Sequence, residues 1–404
     1  MSGNLVEDLF DALCEIPLID PHSHIDPRAP VSKSLDDILN YHYYTELAHS
    51  AGMPKDLLAP DADPQLRVAS IIRYMDKFDN TAQYSWFLEI AQEFLGFSGM
   101  KITVADTDKL WNLADRTFAA KTWEDTVFKR TKLEAIFLTN EFDDSLEGFD
   151  TRRYIPCLRA DTLVFGLHET EVKARLAKVT GIEVGDPATL DEALMKLFEN
   201  FIRHNAKACA ISLPPGFTPS RDAHPMSPEG IFRAIAGKCR DFLIPFDLMI
   251  GVNRNVYAQG VHRGHDLFDQ RTSLIQYAEL FNDFPEVTFP VSVLTSNQNQ
   301  ELASYAWIFP NVVCSGHWWY SNIPIHIARD LRARLQSVPK TKLVGYYSDA
   351  YKLEFVLPKY HMYRGILSEI LANDYVENGF MSETEAVKLG KYLLRDNVRE
   401  IFRV

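Results

Sequence analysis

The sequence predicts an α/β fold, and within that class a (β/α)8 barrel of the TIM type with a large helical insertion after the first strand. Short runs rich in apolar and β-branched residues alternate with helical segments, which is typical of a parallel sheet. The runs number eight, the strand count of a closed barrel. No Gly-rich phosphate loop follows any run, which disfavours a doubly wound dinucleotide-binding sheet.

Most of the predicted strands are apolar on both faces, as expected for strands that lie between a barrel interior and an outer layer of helices. In chain order they cover residues 16–20, 133–139, 154–159, 207–213, 245–252, 287–294, 312–318 and 342–348. The active site of a barrel is built from the segments that follow its strands. The residues directly after each run are therefore the candidates for a functional site.

The helical segments are distributed unevenly. The first and second strands are separated by residues of about 27–132, whose helical patterning predicts an insertion over the barrel mouth, as a lid or as part of the site wall. A shorter helical hairpin is expected at 168–206, and an amphipathic helix opens at Ser382 with a capping box to Glu385. Residues 1–404 are expected to form a single metal-dependent barrel domain.

Composition excludes several classes of function. The formal net charge is −13 and Lys and Arg are not clustered, so we expect no nucleic-acid partner. No apolar run approaches the roughly 20 residues of a membrane span, and the acidic N-terminal segment does not resemble a signal peptide. A small-molecule substrate is the remaining expectation.

The cysteines are few and lie mostly in apolar stretches. They are Cys14, Cys157, Cys209, Cys239 and Cys314. This usage is typical of buried, reduced thiols and predicts a cytoplasmic protein. The oligomeric state stays open, although barrels with long insertions often associate into homo-oligomers.

A histidine pair closes the first predicted strand. His22 and His24 point to the same face because side chains in a strand repeat every two residues, and two neighbouring imidazoles can chelate one divalent ion. The alternative is two ordinary polar residues at a strand end, since the chain has 12 histidines. The position at the end of a strand, flanked by Asp20 and Asp26, favours the metal interpretation.

A carboxylate follows the last predicted strand. In a closed barrel the first and eighth strands are neighbours, so Asp349 is expected beside His22 and His24. Two imidazoles and one carboxylate with open coordination positions form a common catalytic metal arrangement. The alternative role for Asp349 is a helix N-cap.

Further candidates lie on the insertion and after later strands. His42 and Tyr43 fall in the insertion, where the alternative is half-buried helix surface. Trp318 and Trp319 follow the seventh strand and either form a pocket wall or belong to the core.

Polar candidates for substrate binding follow the third and fifth strands. They are Arg159, Asp161 and Arg254. An arginine at these positions can bind a carboxylate in two-point fashion. Surface ion pairs of little consequence are the alternative.

Taken together, these stretches resemble the uronate isomerases, a branch of the amidohydrolase superfamily of metal-dependent barrels. The matching segments are DPHSH, YHYY, LTNEFDDSLEG, LRAD, LMIGVNRN, HWWYSN and SDAY with YHMYRGIL. Each is short, but together they occur in the expected order along nearly the whole chain. The chain is thus similar to a divergent member of this family.

The resemblance implies conversion of a hexuronate between aldose and ketose forms, such as glucuronate to fructuronate. It implies one divalent ion, zinc, held by His22, His24 and Asp349, although the same ligands accept manganese, iron or cobalt. Such an ion stabilises an enediol-like oxyanion. Asp349 would act as the catalytic base, with His42 and Tyr43 as acid or hydrogen-bond partners.

The resemblance also implies how the sugar acid is bound. Arg159 and Lys352 would hold the substrate carboxylate, and Trp318 and Trp319 would cover the sugar face. Partners other than the sugar acid are not implied.

Three positions depart from the family pattern. Met249 stands where the family has a histidine in the fifth strand, and the segment SLPPG lacks an acidic residue expected near Leu213. Tyr351 stands where the family has an arginine two residues after the final aspartate. The metal triad is therefore intact, whereas part of the surrounding shell is changed.

Two alternatives keep the barrel and change its activity. In the first, a hydrolase, metal-bound water attacks an ester, lactone or amide. Hydrolytic relatives usually carry further histidines in the fifth and after the sixth strand, and only His317, after the seventh, compensates in part. In the second, the barrel binds a sugar acid without catalysis.

Overall fold

The computed structural model describes residues 2–404, with side chains from Leu5 onward. All eight predicted strands are present, and neighbouring strands pair in parallel. They are Leu18–Asp20 (β1), Leu133–Phe137 (β2), Tyr154–Ile155 with Cys157–Arg159 (β3), Ala208–Leu213 (β4), Phe246–Ile250 (β5), Phe289–Val293 (β6), Val312–Ser315 (β7) and Leu343–Val344 (β8).

The strands follow one another around the barrel in chain order. Pro156, which has no N–H to donate, divides β3 into one segment that pairs with β2 and another that pairs with β4. Beyond β8, the amide of Asp349 donates to the carbonyl of His22 at 3.1 Å, and the amide of His24 donates to the carbonyl of Ala350 at 2.8 Å. These bonds join the last strand to the first. The predicted (β/α)8 barrel is confirmed.

The observed strands are shorter than the predicted runs, and at β7 a turn sets the earlier end. The run 312–318 ends as a strand at Ser315. Gly316 follows with a φ of 29°, and a Cβ atom there would overlap the ring of Tyr347. The residues after β7 are thereby turned away from the sheet.

The segment between β1 and β2 is helical, as predicted. The α-helix Ser2–Cys14 (α1) precedes β1. The helices between β1 and β2 are Leu35–Leu39 (α2), His42–Ser50 (α3), Pro64–Tyr74 (α4), Ala82–Glu93 (α5), Thr107–Phe118 (α6) and Trp123–Thr131 (α7). Asp36 on α2 accepts two hydrogen bonds from the buried Arg67 on α4, at 2.8 and 2.7 Å. This bidentate ion pair fixes the two helices to each other.

A buried carboxylate anchors this helical segment to the barrel. Glu354, which follows β8, accepts hydrogen bonds from Nε1 of Trp123 at 2.7 Å and from the amide of Ser32 at 2.9 Å. Both donors lie in the segment between β1 and β2. The segment is therefore attached at the edge of the barrel where β8 ends.

The remaining helices up to residue 370 lie between the later strands, except the last of them, which follows β8. They are Asp161–Gly166 (α8), Thr170–Thr180 (α9), Pro187–Arg203 (α10), Pro228–Asp241 (α11), Ala278–Asp283 (α12), Asn299–Ile308 (α13), Pro324–Ser337 (α14) and Val356–Ile370 (α15). The segment 168–206, predicted as a helical hairpin, contains α9 and α10. An antiparallel pair, Val252–Asn253 with Leu267–Phe268, follows β5. None of the helices described in residues 2–404 has the length and hydropathy of a membrane span.

The C-terminal segment begins as predicted and then changes its helical type. Ser382 and Glu385 form the expected capping box at the start of Glu383–Lys391 (α16). A π-helical stretch, Tyr392–Asp396, follows, and the chain ends in Asn397–Phe402 (α17). Phe402 packs against Phe137 of β2, with ring centroids 5.0 Å apart. The predicted single helix is therefore three helical pieces, the last of which packs on the barrel.

Candidate metal and substrate site

Three side chains meet where β1 and β8 end. Nε2 of His22 lies 3.5 Å from Oδ1 of Asp349, and Nε2 of His24 lies 3.3 Å from the same oxygen. One ligand atom from each residue lies within 4.8 Å of the other two. Two imidazole nitrogens and a carboxylate oxygen at this spacing can hold one divalent ion and leave coordination positions free for substrate.

Two atoms of the triad lack a hydrogen-bond partner in the described part of the chain, as expected for atoms that bind a cation. Among the residues that the structure describes, His22 Nε2 and Asp349 Oδ1 are buried and have no hydrogen-bond partner. Buried polar atoms normally have one. An ion bound between the two atoms would supply the missing interaction for both.

The ring of His24 is oriented by a hydroxyl group. Its Nδ1 lies 3.0 Å from Oγ1 of Thr139, and that hydroxyl donates to the carbonyl of Ser23. Since the hydroxyl proton is used on Ser23, Oγ1 accepts from Nδ1–H of His24. This tautomer leaves Nε2 of His24 unprotonated and available as a ligand, which is the usual way in which a neighbouring group prepares a metal-binding histidine.

The protonation of the triad also suits a metal. Burial alone raises the pKa of Asp349, but its contacts with His22 and His24 outweigh burial and hold that pKa well below the ordinary value of 3.8. Burial lowers the pKa of His24 below its usual 6.5. Near neutral pH the carboxylate is anionic and this imidazole is neutral, the forms that bind metal ions.

The two carboxylate oxygens of Asp349 have different surroundings. Oδ1 faces the histidines, whereas Oδ2 accepts a hydrogen bond from the hydroxyl of Tyr43 at 3.1 Å. Burial raises the pKa of Tyr43 well above 10, so this phenol stays protonated and remains a donor. Asp349 itself has a φ of 52°, in the left-handed region that residues other than glycine seldom adopt. Its carbonyl accepts a hydrogen bond from the hydroxyl of Tyr41 at 2.8 Å.

The triad lines a cavity of about 260 Å³, close to the roughly 300 Å³ at the lower end of ligand pockets. Most of the residues predicted to bind substrate, together with His42 of the predicted catalytic residues, lie in its wall. They are His42, Arg159, Asp161, Arg254, Trp318 and Trp319. Tyr43 contacts Asp349 from outside this wall. The cavity is therefore small, polar and suited to a compact ligand.

Two sequence candidates lie elsewhere. Lys352, predicted to hold a substrate carboxylate, instead donates from Nζ to the carbonyl of Ala29 at 2.7 Å and lines a neighbouring cavity. His317 is 1% exposed and packs near Tyr346 and Tyr363, with ring centroids 6.5 and 6.3 Å away. The turn at the end of β7 directs His317 into the core, so it is not part of the cavity wall.

Both predicted arginines face carboxylates inside the cavity wall. Nε of Arg159 lies 3.3 Å from Oδ2 of Asp161, and Nη1 of Arg254 lies 2.7 Å from Oδ2 of Asp266. A guanidinium group has five N–H donors. The ion pairs fix both groups and leave further donors for a ligand.

A third arginine, Arg263, was missed by the sequence analysis. It lines the cavity, and its guanidinium carbon lies 4.9 Å from the ring centroid of Tyr351. Tyr351 in turn stacks on His24, with centroids 4.8 Å apart. Arg263 belongs to the loop between the two strands of the hairpin after β5, and the only local signal was its place in that loop. Its approach to Tyr351 depends on how the loop folds back.

The other departures from the family pattern have structural consequences. Met249 lines the cavity and gives it an apolar surface where the resemblance implies a histidine. Leu213 is fully buried, whereas its neighbour Ser212 lines the cavity. Neither Met249 nor Ser212 brings a charged side chain to the cavity.

Comparison with known proteins bears out the resemblance. A uronate isomerase from Thermotoga neapolitana is 24% identical in an alignment of 446 residues that covers 98% of this chain and 96% of that protein. No protein-family model matches the chain. The chain is thus similar to the uronate isomerases over nearly its whole length.

Solved structures agree on the fold. A uronate isomerase from Bacillus halodurans superimposes with a TM-score of 0.86 at 22% identity and covers 100% of this chain and 97% of that one. A glucuronate isomerase from Caulobacter crescentus has a TM-score of 0.89 at 19% identity, with coverage of 100% and 94%. The barrel and its long helical segment are thus shared with these proteins.

Proposed function

We propose that this divergent relative of the uronate isomerases is a metal-dependent sugar-acid isomerase that interconverts the aldose and ketose forms of a hexuronate, such as glucuronate and fructuronate. One observation carries the proposal: the triad and three arginines line the same cavity of about 260 Å³. A sugar acid has hydroxyl and carbonyl oxygens for a metal and a carboxylate for a guanidinium group.

His22, His24 and Asp349 would hold the ion, which we propose to be zinc. When bound, a divalent ion supplies Lewis acidity that stabilises negative charge developing on substrate oxygens. The unpartnered atoms of the triad support this assignment.

The residues of the chain would move the proton between adjacent sugar carbons. Asp349 is anionic near neutral pH and is the proposed base, with the hydroxyl of Tyr43 bonded to its Oδ2. His42 lines the cavity, and burial lowers its pKa to about 3, so it is neutral and acts as a hydrogen-bond partner rather than as a cation. Its Nδ1 is buried with no partner among the described residues.

Arginines would bind the carboxylate of the sugar acid. Arg263 is the best placed of the three. Among the described residues, no carboxylate oxygen lies within 4.0 Å of its guanidinium nitrogens, the distance limit of an ion pair. Arg159 and Arg254 each have such a partner. Trp318 and Trp319 would cover the apolar face of the sugar.

The hydrolase alternative has less support from the structure. Its further metal ligands were expected from histidines near the fifth to seventh strands, but Met249 occupies the first position and His317 lies outside the cavity wall. The interpretation as a non-catalytic barrel is addressed by the same experiment as the isomerase.

The experiment is to incubate metal-loaded protein with glucuronate and galacturonate and to assay for the ketose product. A panel of lactones and esters, run in parallel, detects hydrolysis. The matched control is the double variant His22→Ala, His24→Ala. Ketose formation no faster than in this control would exclude the isomerase function.

Location and assembly are separate proposals. The five cysteines are free thiols in the described structure, which supports a cytoplasmic location. We also propose a homo-oligomer, which light scattering of the purified protein tests directly.

A further inference from the structure

We propose that Lys359 is a positioning residue for the metal site, which holds the main chain around Asp349 so that Oδ1 points at the two histidines. The inference rests on the metal site of the proposed function. It goes beyond that function because Lys359 is outside the cavity wall and matches none of the predicted site residues.

The surroundings of Lys359 are specific. It lies on α15 and is 0% exposed, a costly location for an ammonium group unless its charge is satisfied. Nζ donates to the carbonyl of Ser348 at 2.7 Å and to the hydroxyl of Tyr41 at 3.1 Å. The rings of Tyr41, Tyr43 and Trp86 surround Nζ, with centroids at 5.1, 5.1 and 4.7 Å. These cation–π contacts and hydrogen bonds account for the burial of the charge.

Both hydrogen bonds lead to Asp349. Ser348 is the preceding residue, so Lys359 fixes the peptide group on the N-terminal side of Asp349. The hydroxyl of Tyr41 accepts from Lys359 and donates its own proton to the carbonyl of Asp349 at 2.8 Å. Lys359 therefore fixes the peptide groups on both sides of Asp349, one directly and one through Tyr41.

The backbone of Asp349 needs such support. Its φ of 52° is unfavourable for a residue with a Cβ atom, and such conformations persist only where the surroundings impose them. If the support were removed, the backbone would relax toward an ordinary conformation and carry the carboxylate away from His22 and His24. The expected consequence is a weaker and distorted metal site.

A purely electrostatic role would have the opposite effect. The positive charge of Lys359 repels a cation bound nearby, so removal of the charge alone would tighten metal binding. Removal of a positioning residue would weaken it. The sign of the change in metal affinity therefore distinguishes the two roles.

The experiment is a titration of metal-free protein with Co²⁺, followed by visible absorption, which reports both affinity and ligand geometry. Lys359→Met is expected to bind Co²⁺ at least about 10-fold more weakly than wild type, the range seen for groups that support metal ligands, with an altered absorption band. Lys359→Arg, which keeps a donor, is expected to recover part of the loss. Equal or tighter binding by Lys359→Met with an unchanged band would overturn the proposal.

Two further variants complete the test. Lys238→Met removes another buried lysine, 4% exposed and paired with Asp191, and is expected to lower thermal stability without changing Co²⁺ binding. If Lys359→Met does not fold, Tyr41→Phe decides: weaker Co²⁺ binding supports the proposal, and wild-type binding refutes it. A wild type that binds Co²⁺ but does not isomerise uronates would refute the proposed function and leave this inference intact.

Discussion

The hydroxyl of Tyr43 donates a hydrogen bond to Oδ2 of Asp349 at 3.1 Å, while Oδ1 of the same carboxylate faces two imidazoles. We propose that the two oxygens have different roles, one in metal binding and one in proton transfer. This separation leads to the first prediction.

Tyr43→Phe should lower kcat while metal content stays at the wild-type level. A hydrogen bond to a charged group contributes about 1.5–3 kcal/mol, which corresponds to roughly a 10- to 100-fold loss in rate. Steady-state kinetics and elemental analysis measure the two quantities. Tyr44→Phe is the matched control, since Tyr44 is a buried neighbour whose hydroxyl has no partner among the described residues. Equal kcat in both variants would contradict the assignment.

Asp349→Ala should abolish stoichiometric metal binding. The variant loses one of three ligands and the only anionic one in the triad, so the remaining imidazoles hold an ion weakly. Elemental analysis after gel filtration compares it with wild type and with Asp150→Ala, an exposed carboxylate paired with Arg152. Equal metal content in all three proteins would rule out Asp349 as a ligand.

Chelation of the metal from the wild type should also remove activity, and added zinc should restore it.

Arg263→Met should raise KM for glucuronate more than it lowers kcat. Loss of one charge-assisted hydrogen-bonding partner weakens binding by roughly 10- to 100-fold. Arg271→Met serves as the control, because this arginine belongs to the same region of the chain but is paired with Asp269 and is largely exposed. If KM is unchanged in Arg263→Met, the carboxylate is bound by another group.

Asp36→Ala should destabilise the helical segment between β1 and β2. It leaves the guanidinium of Arg67, which is 3% exposed, without its bidentate partner. Breaking a buried ion pair from one side costs about 3–5 kcal/mol. Urea denaturation measures the free energy of unfolding. The double variant Asp36→Ala, Arg67→Met should recover part of the lost free energy of unfolding. A loss below about 1 kcal/mol in Asp36→Ala alone, which is typical of exposed ion pairs, would show that the pair is solvated.

The sequence was sufficient for those features that follow from chain order. The eight apolar runs marked the strands, and closure of the barrel placed Asp349 beside His22 and His24, as the structure shows. The contact of Tyr43 with Asp349 crosses from the insertion to the end of β8, so no local pattern predicts it. Only the family resemblance pointed to that pair.

The sequence did not determine where the side chains of loop residues point. Lys352 and Arg263 both lie in loops near the site, and the family resemblance pointed to Lys352 because it stands next to Tyr351, where the family has an arginine. The structure directs Lys352 to the carbonyl of Ala29 and brings Arg263 over Tyr351. Such choices depend on side-chain packing between distant segments. The π-helical stretch after α16 was not predicted either, because its residues are ordinary helix formers and do not distinguish a π-helix from an α-helix.

The bonds between Asp349 and His22 and between Ala350 and His24 that close the barrel have a mechanical consequence. They form the seam where the first and last strands meet, and the three proposed metal ligands lie on both sides of that seam. An ion held by the triad would act as a cross-link between the two ends of the barrel. A ligand that binds only the folded state stabilises it. Metal binding is therefore expected to stabilise the hydrogen bonds of the seam, and loss of these bonds is expected to weaken metal binding. Slower hydrogen exchange at residues 22–24 and 349–350 on metal addition would be the direct signature of that coupling.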